Sequence, residues 1–328
     1  MPSYKDLVTE LPYGQMVCRA HGLVVCGRCC VDFSFTQDDE ADADSGYQER
    51  SSHTNIGASG QALTTLYGPR TSAALSTLLN DGNLTQGERP DRLSIRRGTG
   101  RIFPTAFVPP PTASTPQELF PPTVSRRRAR PHVLRFLHRD DLGQMLIYTD
   151  GACLNNGQAN PKAGWAFVFR PTDDHIRGDV SARLENKGPF GDLSSQTNNR
   201  AELRAVLAAL RFRDWKGEGC ETIVIATDSE YVAKGATQWA RTWLRNGWRT
   251  SSGAVMNKDL WEMLLGEVER WDFCGVKVQF WRIPRAFNEM ADSAAKQAAK
   301  GTETYDAYQE FRDIPVPVGY VGYARLAG

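Results

Sequence analysis

No apolar run in the 328 residues approaches the roughly 20 needed to span a bilayer. The first residues, MPSYKDLVTELPYG, lack the charged start and apolar core of a signal peptide. Charge of one sign is not in excess: the formal net charge is +1, so no global field draws in nucleic acid, and any attraction must come from local patches. There is no internal repeat, which excludes solenoids and propellers. Histidine, the usual proton shuttle, is scarce, and none of the five lies beyond residue 175. These absences lead us to expect an intracellular monomer with no membrane partner. The length allows about two domains, and the apolar content suffices for one good core rather than for packing throughout.

Cysteine is present but clustered. Of seven, four fall within residues 18–30, beside a histidine. The spacing Cys18-x2-His21-x4-Cys26-x2-Cys29 offers two close pairs of soft ligands, which can close a tetrahedral zinc site and stabilise a piece too small for a hydrophobic core. The alternative is a buried cysteine cluster or a redox-sensitive thiol pair. Residues 1–36 are expected to form this Cys/His module, and modules of this size more often bind protein or nucleic acid than catalyse. Residues 37–139 read as a mostly disordered linker: an acidic, small-residue stretch, one amphipathic helix between Thr64 and Asn80, then many prolines. Phe103, Phe107 and Phe120 either dock on another surface or ride on a mobile tether, the tether being the simpler expectation. The basic run Arg126, Arg127, Arg128 and Arg130 is a nuclear localisation signal, a phosphate-binding patch or a solvated face; it tips the expected compartment slightly toward the nucleus over the cytoplasm.

Residues 140–304 carry the regular pattern. LIYTDGAC, residues 146–153, begins as a buried strand, and Gly151 is expected to end it in a sharp turn that surfaces Asp150. Strands follow at 164–170 and 179–186, with short connections that predict an antiparallel meander. Thr197 or Asn198 caps a helix with Glu202 in its first turn, where an acid is also a common favourable dipole charge. Ile223–Ala226 is a strand ending in Thr227-Asp228, with a helix starting at Ser229. Two strands that both end in Thr-Asp, joined through a helix, predict parallel neighbours with both acids at one sheet edge, where open α/β sheets hold ligands. Residues 235–253 interleave Trp239, Trp243 and Trp248 with Arg241, Arg245 and Arg249, a pattern that suits a nucleic-acid backbone, although at least one tryptophan is expected in the core. A helix at 257–271, a fifth strand at 276–283 and a helix at 288–300 with Asp292 near its start complete the domain; the tail 305–328 has no readable pattern.

The motifs TDGAC, TNNRAEL, TDSEYV, TQW, NGWRT, NKDLW and NEMADSAA, in that order, resemble type 1 ribonuclease H over roughly residues 144–300. The resemblance implies a five-stranded mixed sheet, three strands antiparallel and two parallel, flanked by helices. It implies cleavage of the RNA strand of an RNA–DNA hybrid, leaving 5′-phosphate and 3′-hydroxyl ends. Asp150, Glu202, Asp228 and Asp292 then form the metal-binding carboxylate set. Hard Mg²⁺ or Mn²⁺ ions prefer oxygen ligands, and two of them, about 4 Å apart, serve the attacking and leaving oxygens. By the same resemblance Asn156, Asn198 and Asn199 contact RNA, Trp239 lines the DNA-strand channel, and Thr197 and Asn257 grip a DNA phosphate.

Two departures stand out. Where several relatives place an arginine in the phosphate pocket, this chain has Ser195. Between Trp281 and Asp292 there is no histidine, where many relatives carry one in a flexible loop, and Arg285 is the cation at hand. The loss predicts slower turnover rather than no chemistry. The alternative is a catalytically weak or silent module that grips hybrids or double-stranded RNA and recruits a protein partner through its zinc-dependent N-terminus.

Overall fold

The computed structural model describes residues 8–10, 16–19, 25–26, 31–32, 94–110, 115–125, 133–172 and 177–312. At the N-terminus two short antiparallel pairs are described, β1 (Val8–Glu10) with β2 (Met16–Cys18) and β3 (Val25–Cys26) with β4 (Val31–Asp32). Cys18 and Cys26 therefore lie on strands. His21, Cys29, the expected helix at 64–80 and the arginines at 126–130 fall outside the described residues.

The main sheet is built around β8 (Gln144–Leu154). It pairs antiparallel with β9 (Lys162–Val168), and β9 pairs antiparallel with β10 (Asp179–Arg183). On its other side β11 (Thr222–Thr227) runs parallel to β8, and β14 (Lys277–Arg282) runs parallel to β11; the short antiparallel pair β12 (Arg249–Thr250) and β13 (Gly253–Ala254) lies between them in the chain, outside this sheet. Three antiparallel strands followed by two parallel ones is the expected order. The helices are α2 (Asn198–Phe212), α3 (Glu230–Lys234), α4 (Ala240–Arg245), α5 (Lys258–Phe273) and α6 (Glu289–Lys300), and a π-helical turn, Gly235–Trp239, joins α3 to α4. Among the described residues no helix is long and apolar enough to cross a membrane.

Side chains alternate across the sheet. Met145 and Ile147 of β8 join the core with Leu203, Leu207 and Leu264 of α2 and α5, while Leu146 and Tyr148 join a second cluster with Val224, Trp281 and Ala291. Both faces are covered, so the central strands are apolar almost throughout. The alanines of α6 permit close packing: a Cβ on Gly164 of β9 would lie 2.3 Å from the Ala299 nitrogen.

The sheet extends beyond five strands, because much of the expected linker is packed. Residues 94–108 form a strap along α5. Gly98 crosses Gly266 so closely that a Cβ there would lie 2.3 Å from the Gly266 nitrogen. The Glu269 carboxylate accepts from the amides of Thr99, Gly100 and Arg101 and from the Thr99 hydroxyl. Beyond it β5 (Thr105–Ala106) adds in parallel to β14. A short helix, α1 (Pro116–Leu119), is held by a capping box between Thr115 and Glu118. It leads into β6 (Pro122–Val124) and β7 (Leu134–Leu137), and β7 pairs with the start of β8. Phe107 and Phe120 both pack on Trp281, with ring centroids 5.1 and 6.1 Å away. The simpler expectation of a mobile tether fails at these residues, because three aromatic side chains and a strand edge supply enough apolar and hydrogen-bonding contact to order them.

The residues after α6 are ordered for another reason. Arg204 and Glu185 form a buried ion pair, and Arg204 also donates to the Gln309 carbonyl. Arg211 donates to Glu310 at 2.8 Å. Phe311 packs edge-on against Trp165, 5.0 Å between centroids. Tyr305, Tyr308 and Phe311 recur every third residue and pack on the core, yet no helix forms there.

Candidate active site

Asp150 does not stand at the end of a strand. β8 continues to Leu154, with Asp150 opposite Ala166 and Gly151 opposite Trp165 on β9. What ends is the pairing on the other side: β11 is in register only as far as Ala226 opposite Tyr148. Gly151 is there for close approach rather than for a turn. An added Cβ would lie 2.1 Å from the Glu202 nitrogen and 2.4 Å from the Ala201 carbonyl carbon. The first turn of α2 thus rests directly on β8, and this brings Glu202 to the strand that carries Asp150.

Glu202 is buried, receives the Asn198 side-chain amide at 2.9 Å and accepts from the Ser229 hydroxyl. Ser229 also caps α3 by accepting from the Val232 amide at 3.2 Å. In the sequence it is legible only as a helix start; its second role depends on α2 and α3 meeting. Asp228 follows the last residue of β11 and accepts from the Asn288 side chain at 2.7 Å. That same nitrogen donates to the Thr149 carbonyl at 3.1 Å, so Asn288 ties β8 to the loop before α6. Asp292, in the first turn of α6, accepts from Arg285 at 3.2 Å and from Lys296 at 3.1 Å. Arg285 lies in a 3-10 turn, Arg285–Phe287, that stands where the resemblance leads one to look for a histidine-bearing loop.

Electrostatically the cluster is loaded with negative charge. Burial, then the neighbouring carboxylates of Asp228 and Asp292, hold the Asp150 carboxyl well above the usual range, and Arg285 opposes this only in part. Asp228 is raised too, chiefly by burial, against the stabilising Asn288 amide and Arg285. Asn288 Oδ1 is buried and has no hydrogen-bond partner. A buried carboxylate with two acid neighbours needs either a proton or a cation. Four carboxylates, from the middle of β8, the end of β11 and two helix starts, are hard oxygen donors of the kind a divalent cation takes, so the residues fit such an ion. Their side chains are turned toward their own donors, and among the described residues no three His, Cys, Asp or Glu are arranged to hold one ion as they stand.

The substrate candidates divide into two groups. Asn156 Oδ1 accepts from the Asn198 amide at 3.3 Å, and Asn199 is half-buried beside them at the start of α2. Thr197 is the N-cap of α2, accepting from the Arg200 amide at 3.4 Å. Asn257 adopts a left-handed backbone (φ 56°) at the start of α5, donates to the Tyr231 hydroxyl at 3.2 Å and accepts from Arg200 at 3.4 Å. Arg200 is itself paired with Asp259 at 2.6 Å, so one buried guanidinium links Thr197's helix to Asn257's. Ser195 is exposed nearby in sequence and brings no cation. Trp239 is half-buried on the π-turn, 5.8 Å from Trp243, while Trp243 and Trp248 belong to the core.

The strand order and the helix on the meander-to-parallel crossover define a ribonuclease H-like fold, with the four acids on β8, on α2, just after β11 and on α6. The RNase H family model matches residues 143–300. Ribonuclease H of Treponema pallidum subsp. pallidum is 38% identical over 164 residues, which cover 48% of this chain and 90% of that protein. Ribonuclease H1 of Mus musculus is 34% identical over 164 residues, 48% of this chain and 51% of that protein. Among solved structures, LC9-RNase H1, described as a type 1 RNase H with the type 2 active-site motif, is 30% identical and aligns over 49% of this chain and 74% of that one, with a TM-score of 0.35. The chain belongs to the ribonuclease H family.

Proposed function

We propose that the protein is an endoribonuclease that hydrolyses the RNA strand of RNA–DNA hybrids, leaving 5′-phosphate and 3′-hydroxyl ends. The observation that carries the reading is the buried Asp150, raised by burial and by Asp228 and Asp292, at the one place where β8 has lost its parallel neighbour. Asp150, Glu202, Asp228 and Asp292 would hold two Mg²⁺ or Mn²⁺ ions, which when bound lower the pKa of an attacking water and stabilise the leaving 3′ oxygen.

The chain's own residues do the rest. Gly151 sets the distance between Asp150 and Glu202. Asn288 fixes Asp228 against the Thr149 carbonyl, so two of the acids share one rigid support. Arg285, bonded to Asp292, supplies positive charge beside the acids where relatives place a histidine. Arg285 cannot exchange a proton near neutral pH, so proton movement there falls to water, and turnover is slow. Asn156, Asn198 and Asn199 form an amide cluster suited to 2′-hydroxyls, which both donate and accept. Thr197 and Asn257, linked through Arg200, take a DNA phosphate. Cys18, His21, Cys26 and Cys29 are proposed to hold one structural zinc, read out by metal analysis of the purified chain.

The test is cleavage of a labelled RNA–DNA hybrid with Mg²⁺ or Mn²⁺, wild type beside Asp150→Asn. Metal-dependent cutting of the RNA strand, lost in the variant, is expected. Folded wild type that binds hybrid and never cuts it would replace the enzyme with a binding module.

A further inference from the structure

The strap lies outside the residues matched to the family, yet it reaches the part of the domain that carries Trp239. Gly100 takes a positive φ (72°) and sits against Leu244 of α4, so closely that a Cβ there would lie 2.0 Å from Leu244 Cδ2. Three residues on, the Phe103 ring lies under the Arg241 guanidinium, 4.6 Å from ring centre to Cζ. Arg101, between these two contacts, has its amide fixed by Glu269 and its side chain exposed.

Apart from Glu269, the charge along this junction is positive. Residues 92–117 contain no Asp or Glu, and neither do residues 231–258. The two acid-free stretches meet where Gly100 touches Leu244 and Phe103 touches Arg241. The acids of α5 that face the strap are already engaged: Glu262 pairs with Arg97 of the strap and with Lys258, and the Glu269 carboxylate accepts from strap amides. Arg101, Arg241 and Arg245 are all exposed, and among the described residues none of them is in an ion pair. Arginines that share a surface without counter-charge repel one another, and a polyanion relieves that repulsion.

We propose that the strap is part of the nucleic-acid interface: Arg101 continues the Arg241 and Arg245 surface and takes backbone phosphates of the bound duplex beyond the stretch that faces Trp239. The inference rests on the hybrid substrate proposed above. Glu269 and Gly98 give Arg101 a fixed position on a rigid helix, so the charge is presented rather than trailing. Cation–π contact with Phe103 likewise restrains Arg241 without neutralising it.

The test uses the full chain and a fluorescently labelled RNA–DNA hybrid, with binding followed by anisotropy over a salt series in the absence of divalent metal. Loss of one phosphate contact makes the plot of log Kd against log salt shallower by about one. Arg101→Ala is expected to show that change with a weaker Kd, and Arg101→Glu a larger weakening. The same variants are expected to raise KM in the cleavage assay. Lys277→Ala, which removes an exposed charge from the start of β14, at the opposite end of the strands from the acids, is expected to leave the slope as it is. Wild-type Kd and slope in both Arg101 variants, with wild type binding hybrid well, would overturn the strap's role alone. Failure of wild type to bind or cut hybrid would overturn the substrate reading and this inference with it.

Discussion

Replacing Gly151 by alanine should damage catalysis far more than its size suggests. The added Cβ would meet the Glu202 nitrogen at 2.1 Å, the Ala201 carbonyl carbon at 2.4 Å and the Glu202 Cα at 2.7 Å. All three are backbone atoms in the first turn of a helix, so no side-chain rotation relieves the clash. Ordinary contact begins at about 3.4 Å, so α2 or β8 must retreat by somewhat more than 1 Å. Overpacking of this kind costs about 1–3 kcal/mol of stability. In a domain of this size that lowers the melting temperature by about 2–4 °C per kcal/mol. The chemical effect is expected to be larger, because Glu202 moves with the helix while Asp150 stays on the strand. A misplacement of about 1 Å between groups that must act together lowers the rate by about 100-fold. Thermal unfolding and hybrid cleavage on the same preparation separate the two effects. An alanine variant that melts below wild type but cuts at the wild-type rate would refute the claim that this contact sets the carboxylate spacing. One that also melts like wild type would refute the packing itself.

Two further outcomes follow from the segments that surround the domain. Glu269→Ala removes the acceptor shared by three strap amides and one hydroxyl, at an expected loss of about 1–3 kcal/mol, and amide hydrogen exchange at residues 99–101 should rise sharply while that at α6 does not change. Glu310 feels opposing influences, burial pushing its carboxyl up and Arg211 and Arg312 pulling it down, and the guanidiniums prevail. A depressed carboxyl contributes stability above its unfolded value that is lost as pH falls through the lower folded value. The contact of the 305–312 segment with α2 should therefore weaken in acid below the usual carboxylate range, seen as Trp165 fluorescence, and Glu310→Gln should flatten that part of the pH profile.

The linear chain carries the domain because its elements obey local rules. Apolar runs mark β8, β9 and β11, Thr197 and Ser229 mark helix starts by their capping chemistry, and two Thr-Asp pairs in apolar runs joined through a helix imply parallel neighbours with acids at one edge, although the first of these strands runs on past its acid. Those properties are local, so they survive without a structure, and they placed Asp150, Glu202, Asp228 and Asp292 on the elements where they are found. What only the tertiary structure decided involves contacts between distant residues. Gly151 looks like a turn glycine until α2 is laid across it. Ser229 looks like a cap until Glu202 arrives. Residues 94–110 and 115–125 lack a repeating apolar face, and single aromatic side chains and a shared carboxylate hold them; residues 305–312 repeat an aromatic every third position without forming a helix, and buried ion pairs help to hold them. Their order depends on partners more than 80 residues away in the chain, such as Trp281 for Phe107 and Arg204 for Gln309, and no local pattern encodes such a partner.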